Sequence, residues 1–285
     1  VCDLRDIWSY GFEKRYRHIV DFWLERHLER DCLSKAQRVI ANTPTARRLL
    51  VTQLGLEEEK VVCLPNGFDE EDFAGVGPGQ ELEPGKFTVV YTGVLGGPIP
   101  ARKPVRTALK SALGIDFKPM RVDPTTRSPL WVLKAVERLL DQQPRYRDVL
   151  RMLVVGNYSQ AELAPLQAFR YPECVKALPA VPRREALALC CRANLLLLLQ
   201  VDMKLHGHDH CTAVPAKLFD YVRSGTRILA PLQDSDAADL VRRFGVSKHI
   251  ERDDRSESLQ HPFCHSMRRM RGQAGISHAR DVRML

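Results

Sequence analysis

The chain has 285 residues, of which 44% are hydrophobic, so it can bury a substantial core in about one to three domains. Its 43 Lys and Arg residues against 35 Asp and Glu residues give a formal net charge of +8, which suits nucleic acid, an anionic membrane surface or a phosphate-bearing substrate as a partner. The eight cysteines form no CxxC pair, and no apolar run comes near the roughly 20 residues that cross a bilayer. The composition therefore argues against a disulfide scaffold and a transmembrane helix, and favours a cytoplasmic protein with reduced thiols.

The first part of the chain predicts two helices and two short strands. Apolar residues recur at helical spacing from Gly11 to Arg38, which predicts one long amphipathic helix. Further on, Thr43 and Pro44 are typical of a helix N-terminus. The elements predicted after the first helix are a strand at 38–42, a helix at 43–53 and a strand at 60–64. Residues 69–86 are rich in acidic residues and glycine, and we predict that they connect a first domain at 1–75 to a second one.

The second predicted domain, at residues 76–255, alternates between strands and helices. The predicted elements are strands at 87–93, 151–155, 194–200 and 227–230 and helices at 129–142, 183–191 and 215–224. Such alternation predicts an α/β domain, in which helices cover both faces of a parallel sheet. Residues 96–126 are predicted to form a long loop or insertion with a short helix near 107–113, and residues 256–285 an irregular basic tail.

Two residues after the first strand of that domain are candidates for binding phosphate. In a doubly wound sheet, ligands lie beyond the carboxyl ends of the strands. Gly93 ends this strand and would let the backbone approach a phosphate closely. Arg127, at the start of the following helix, would add a guanidinium to the positive end of the helix dipole. The alternative is that Gly93 is only a turn residue and Arg127 an exposed cap residue.

A second candidate segment runs from Val214 to Tyr221. Pro215 at a helix start frees backbone donors for an anion, and Lys217 adds a positive charge. Asp220 is suited to accept hydrogen bonds from paired sugar hydroxyls, and it shares a helix face with Lys217. The alternative is an ordinary surface ion pair between Lys217 and Asp220.

Taken in order, several segments resemble the landmarks of the retaining "group 1" (family 4) glycosyltransferases. The resemblance covers roughly residues 1–250, apart from 96–126, and rests on the segments 40–44, 61–69, 90–93 and 214–221. The opening Asp3-Leu4-Arg5-Asp6-Ile7-Trp8 is similar to the Asp-x-Arg-Asp-Pro-Trp segment in the N-terminal domain of these enzymes. The resemblance implies a GT-B fold: a partial, N-terminally truncated Rossmann-like domain on the acceptor side, and a C-terminal Rossmann-like domain that binds the nucleotide-sugar donor.

The resemblance also implies roles for individual residues. Asp220 takes the place of an acid that commonly binds the ribose, although the family usually has the longer Glu. Arg127 corresponds to a basic residue that contacts the donor diphosphate, and the loop at Val181 corresponds to one that meets the base. The implied donor-binding set is Gly93, Arg127, Val181, Val214, Pro215, Lys217 and Asp220, and the implied acceptor-side set is Asp3, Arg5 and Asp6.

The implied reaction moves a sugar to a glycan or lipid-linked acceptor, with retention of configuration, in cell-envelope or polysaccharide synthesis. Cationic groups would stabilise the leaving diphosphate, and no metal or other cofactor is required. Thr212 stands where many members have a second acid, so no catalytic residue is assigned. No residues match the family's first strand and Gly-rich loop, so we expect an N-terminally truncated enzyme, and we expect no secretory leader. The alternatives are a truncated chain that binds nucleotide sugar without turnover, or a sugar-nucleotide isomerase of the same fold.

Three further interpretations concern metal, nucleic acid and membrane. The cluster from His206 to Cys211 contains zinc-ligand residue types, but its spacing suits a tetrahedral site poorly and favours a polar loop beside the donor crevice. The basic segments 102–110 and 268–280 lack interleaved aromatic residues, so we expect no nucleic-acid partner. Together with Arg15, Arg17 and the aromatic first helix, these segments fit a peripheral contact with the inner face of a membrane.

Overall fold

The computed structural model describes residues 1–11, 14–95, 113, 115–205, 212–244 and 247–251. The predicted helix near 107–113 lies outside the described residues except for residue 113, and the His206–Cys211 cluster and the predicted tail at 256–285 lie wholly outside them. The α/β class predicted from the sequence is confirmed.

The described strands and helices alternate along most of the chain. They are β1 Cys2–Leu4, β2 Tyr16–His18, α1 Ile19–Ser34, β3 Val39–Ala41, α2 Pro44–Thr52, β4 Val61–Cys63, β5 Phe87–Thr92, β6 Ile115–Phe117, β7 Met120–Asp123, α3 Leu130–Gln142, β8 Leu150–Val155, α4 Gln160–Gln167, β9 Val175–Leu178, α5 Arg183–Arg192, β10 Leu195–Leu197, β11 Asp202–Leu205, α6 Lys217–Ser224, β12 Ile228–Leu232, α7 Asp236–Phe244 and β13 Ser247–Glu251. None of the helices in the described ranges is long and apolar enough to cross a membrane.

The first part of the chain forms a three-stranded parallel sheet in the order β1-β3-β4. Thr43 caps α2 with its side chain, as predicted. However, α1 is shorter than predicted because it begins at Ile19. The side chain of His18 accepts a hydrogen bond from the N–H of Val20, and the Asp21 carboxylate accepts one from the N–H of His18. This capping box fixes the helix start and leaves β2 free to pair with β6.

A six-stranded sheet in the order β13-β12-β10-β5-β8-β9 forms the second part, and all of its pairings are parallel. One face packs on α3, through residues such as Val132 and Leu139, and the other packs on α6, through Leu218 and Tyr221. Parallel strands covered on both faces explain the continuous apolar sequences of β5, β8 and β10. The sequence analysis missed α4, β9, α7 and β13.

Residues 96–126 are not loop throughout, which corrects part of that prediction. Here β6 pairs antiparallel with β2, and β7 pairs antiparallel with β11. Met120 of β7 and Val201 are buried in the same apolar cluster as Leu33 and Leu50 from the first part of the chain. The part of the predicted insertion at 115–123 therefore packs against the core that includes α1 and α2. The division into domains at 1–75, 76–255 and 256–285 stays a prediction.

Candidate functional site

Two glycine turns bring the ends of β5 and β8 together at the carboxyl edge of the six-stranded sheet. Gly93 follows β5 with a φ of 108°, a conformation that favours glycine, and its N–H donates to the carbonyl of Val155 at 2.9 Å. A Cβ on Gly156, after β8, would lie 2.6 Å from the carbonyl oxygen of Gly93. The hydroxyl of Tyr158 also donates to the carbonyl of Gly93 at 2.8 Å and would lie 2.6 Å from a Cβ on Gly156. A side chain at either glycine would therefore crowd its neighbours, which keeps the two turns close together.

Lys217 lies directly beside the Gly93 turn. It is the first residue of α6, and its Nζ donates to the carbonyl of Thr92 at 2.9 Å and lies 3.9 Å from the centre of the Tyr91 ring. A Cβ on Gly93 would lie 3.3 Å from this Nζ. The residue is partly exposed, while its ammonium group is enclosed, and this burial, helped by the charge of Arg127, lowers the pKa of Lys217 to about 7.

Arg127 provides a second cation in the same place. It ends a 3-10 turn at Pro124–Arg127, just before α3, and its charge acts on both Lys217 and Tyr91. Its Nε is buried and has no hydrogen-bond partner among the residues that the structure describes. Hydrogen bonds from the hydroxyl and N–H of Ser159 lower the pKa of Glu162, and the charge of Arg127 lowers it further. The carboxylate of Glu162 is therefore already bound by Ser159. Two cations and an unused donor beside the Gly93 turn form an arrangement that favours an anion.

Asp220 does not pair with Lys217, so the alternative of an ion pair between these two residues is wrong. The carboxylate of Asp220 accepts two hydrogen bonds from Arg183, the first residue of α5, at 3.1 and 3.2 Å. The Asp220 side chain is 14% exposed. The sequence analysis missed Arg183, although its position at a helix start after β9 places it at the same edge of the sheet.

The remaining predicted donor-binding residues line the neighbouring loops. Val181 and Val214 are partly buried against the apolar cluster that contains Leu218. The carbonyl of Pro215 accepts a hydrogen bond from the N–H of Leu218 at 2.9 Å, in the turn that leads into α6. The helix itself begins at Lys217, two residues later than predicted.

The predicted acceptor-side residues belong to the three-stranded sheet and its loops. Arg5 donates to the carboxylate of Asp3 at 2.6 Å and to the side-chain oxygen of Asn66 at 2.8 Å, and Asp6 is exposed. Just after them, the buried carboxylate of Glu29 in α1 accepts hydrogen bonds from the N–H groups of Trp8 and Ser9. The segment that carries Asp3, Arg5 and Asp6 is thus fixed to α1 and to the turn at Asn66.

Two other observations complete the description of ionisable groups. Asp236, at the start of α7, is buried and accepts hydrogen bonds from the hydroxyl of Thr45 at 2.9 Å and from its N–H at 3.3 Å. In the part of the chain that the structure describes, no group of three or more His, Cys, Asp or Glu side chains is placed to hold a metal ion.

Comparison with known proteins identifies the type of fold. Residues 5–72 match the sequence model of the family described as Glycosyltransferase Family 4. Among curated proteins, none matches the sequence at a significant level.

Several solved structures have a similar fold. Alr3699/HepE from Anabaena in complex with UDP is 14% identical with a TM-score of 0.59, over 94% of this chain and 62% of that one. WaaG, a glycosyltransferase involved in lipopolysaccharide biosynthesis, is 14% identical with a TM-score of 0.54, over 89% and 58%. A glycosyltransferase from Rickettsia africae ESF-5 is 9% identical with a TM-score of 0.55, over 85% and 57%.

The chain therefore has the fold of GT-B glycosyltransferases, as predicted. The resemblance to family 4 glycosyltransferases is confirmed for residues 5–72, and retention of configuration stays a prediction. It spans about three fifths of the length of these solved structures.

Proposed function

We propose that the chain binds a nucleotide sugar at the carboxyl edge of its six-stranded sheet and serves as the donor-binding part of a glycosyltransferase. The observation that carries this proposal is the pair of cations beside Gly93: the enclosed ammonium of Lys217 and the unpaired, buried Nε of Arg127. A diphosphate would accept hydrogen bonds from both and relieve their mutual repulsion. Further support comes from Alr3699/HepE, a protein of similar fold that was solved with UDP and with UDP-glucose.

In the proposed reaction, the sugar moves to its acceptor with retention of configuration. Negative charge develops on the diphosphate as the bond to the sugar breaks, and Lys217 and Arg127 stabilise that charge. Because the pKa of Lys217 is about 7, the group gains positive charge when an anion binds near neutral pH. Asp220 accepts hydrogen bonds from the ribose, and the loop at Val181 meets the base. Val214 and Pro215 shape the approach to α6. We propose no metal or other cofactor.

The acceptor is proposed to be a glycan or lipid-linked glycan of the cell envelope, or a polysaccharide, that meets the chain near Asp3, Arg5 and Asp6. Neighbouring α1 exposes apolar side chains that are 52–61% accessible, namely Val20, Trp23, Leu24 and Leu28. Arg26 lies over the Trp23 ring at 4.9 Å. An apolar stripe with basic neighbours suits a peripheral contact with an anionic membrane on its cytoplasmic side. Co-sedimentation with liposomes that does not depend on anionic lipid would contradict this contact.

Calorimetry of the full chain with UDP-, GDP- and ADP-sugars tests the proposal, followed by a turnover assay with the donor that binds. We expect binding that Arg127→Ala weakens at least about tenfold, because a charge-assisted hydrogen bond to phosphate is lost. Arg138, exposed on α3, provides the control Arg138→Ala, which should bind as the wild type does. No binding of any donor would overturn the proposal.

The turnover assay then distinguishes transfer of the sugar from the second candidate function, which is binding of the nucleotide sugar without transfer. Residue 212 is Thr, where the resemblance to family 4 glycosyltransferases implies a second acid, and this difference favours binding of the nucleotide sugar without transfer. Donor binding without transfer or hydrolysis would support that candidate, and conversion of the donor to an isomer would indicate an isomerase.

A further inference from the structure

Arg183 joins two carboxylates that are far apart in the sequence. Its Nη1 and Nη2 donate to the two oxygens of Asp220 at 3.2 and 3.1 Å, and its Nε donates to Asp72 at 2.5 Å. Asp72 belongs to the connection, residues 69–86, and Asp220 is in the first turn of α6. One guanidinium therefore links the connection to the edge of the six-stranded sheet where the candidate donor site lies.

The fork of Arg183 fixes the orientation of the Asp220 carboxylate. Each carboxylate oxygen accepts one of the two parallel hydrogen bonds, which is the geometry in which Arg binds a carboxylate most specifically. A carboxylate has about four lone-pair positions, so about two remain for other donors. The vicinal hydroxyls of a ribose supply two neighbouring O–H donors, which match that remaining capacity.

The other partner of Arg183 lies on a segment that is itself held in place. The connection is bound to α5 and α6 by the side chains of further arginines. Arg223 donates to the carboxylate of Glu70 at 2.7 Å, and Arg184 to the carbonyl of Ala74 at 3.1 Å. Between these contacts Phe73 is 3% exposed, beneath the guanidinium of Arg223. Asp72 is thus a fixed anchor for the Nε of Arg183.

We propose that Arg183 is a positioning residue that holds Asp220 for the ribose hydroxyls of the bound nucleotide, with Asp72 as its anchor. This inference rests on the proposed function, in which Asp220 meets the ribose. The side chain of Asp is one methylene shorter than that of Glu, so its carboxylate reaches less far and its orientation matters more. Without the fork, the Asp220 side chain would sample other rotamers and offer its oxygens less often in the binding orientation.

The test measures how well the protein distinguishes ribose from deoxyribose. Calorimetry with UDP, GDP and ADP and with their 2′-deoxy counterparts gives, for the nucleotide that binds tightest, the ratio of the deoxy Kd to the ribo Kd. We expect Arg183→Ala to lower this ratio at least about fivefold, roughly the effect of one lost hydrogen bond. Arg183→Lys, which keeps the charge but not the fork, and Asp72→Asn should lower it less. Arg184→Ala is the matched control, because Arg184 also binds the connection but does not contact Asp220, and its ratio should stay that of the wild type.

An unchanged ratio in both Arg183 variants would overturn the inference, as would an equal loss of the ratio in Arg184→Ala. If Arg183→Ala does not fold, Arg183→Lys decides by the same criterion. Failure of the proposed function gives a different result. In that case the wild type binds none of the nucleotides, or Asp220→Ala binds with the same ratio as the wild type.

Discussion

The helices α6 and α7 both start at the carboxyl edge of the six-stranded sheet with an ionisable residue, and these two residues have opposite surroundings. Lys217 starts α6, where its positive charge opposes the helix dipole, and it lies beside a second cation, Arg127. Asp236 starts α7, where the helix dipole stabilises its negative charge, and Thr45 donates two hydrogen bonds to it. The protein satisfies Asp236 by itself, whereas Lys217 and Arg127 are left in surroundings that an anion would improve. The buried charge of Asp236 in α7 thus has a structural role, whereas that of Lys217 in α6 is suited to binding an anion.

The largest effect is expected for Lys217→Met in binding. Loss of one of the two cations should weaken the affinity for a nucleoside diphosphate about 100-fold, the equivalent of about 2.7 kcal/mol. Affinity for the corresponding nucleoside, which has no phosphate, should hardly change. Calorimetry with both ligands measures this difference, and Lys134→Met, at an exposed lysine of α3, is the matched control. Equal weakening for the nucleoside and the diphosphate would show that Lys217 does not act on phosphate.

Asp236→Ala should lower the stability of the protein, because Asp236 has a structural role. The N–H and hydroxyl of Thr45 would lose their acceptor in a buried place, which we expect to lower the free energy of unfolding by about 2 kcal/mol. Chemical denaturation measures the change. The double variant Thr45→Val with Asp236→Ala should lose less than the sum of the single variants, because the hydroxyl is then absent as well. An additive result would contradict the assignment of a direct interaction.

The pH dependence of stability should sharpen the contrast. The pKa of Lys217 is about 7 in the folded chain and about 10.4 when unfolded, so between these values the unfolded state binds more protons. Stability should therefore rise with pH from about 7 to about 10, by up to about 1.4 kcal/mol per pH unit from this group. Lys217→Met should reduce that slope. Denaturant titrations of both proteins at pH 7 to 9 give the difference, and identical slopes would mean that the ammonium is not enclosed.

The structural features that the sequence predicted correctly depend on neighbouring residues along the chain. Short apolar runs located β5 and β8, and Thr43 and Pro44 located the start of α2, because such signals act within a few residues. The capping box of Ser159 and Glu162 is a signal of the same kind that would have revealed α4.

Long-range contacts explain what the sequence analysis missed. The strand β2 was predicted as helix because its partner, β6, lies about a hundred residues away along the chain. Arg183, Asp72 and Asp220 form one group only after the connection packs on α5 and α6. Position on a helix suggested an anion site for Lys217, while its enclosure depends on Tyr91 and Thr92 from a distant strand.

The smallest effect on the free energy of unfolding is expected for Arg5→Ala. Arg5 is an exposed, paired charge, and it serves as a reference for the buried charges of Lys217 and Asp236. The pair of Arg5 and Asp3 has side chains that are 44% and 46% exposed, so solvent screens their attraction. We expect the free energy of unfolding to change by no more than about 0.5 kcal/mol, less still at high salt. If Arg5 meets an acceptor, turnover at limiting acceptor should nevertheless fall, while donor affinity stays constant. A large loss of stability would instead mean that the bond to Asn66 holds β1 and the turn after β4 together, and the acceptor assignment would lose its support.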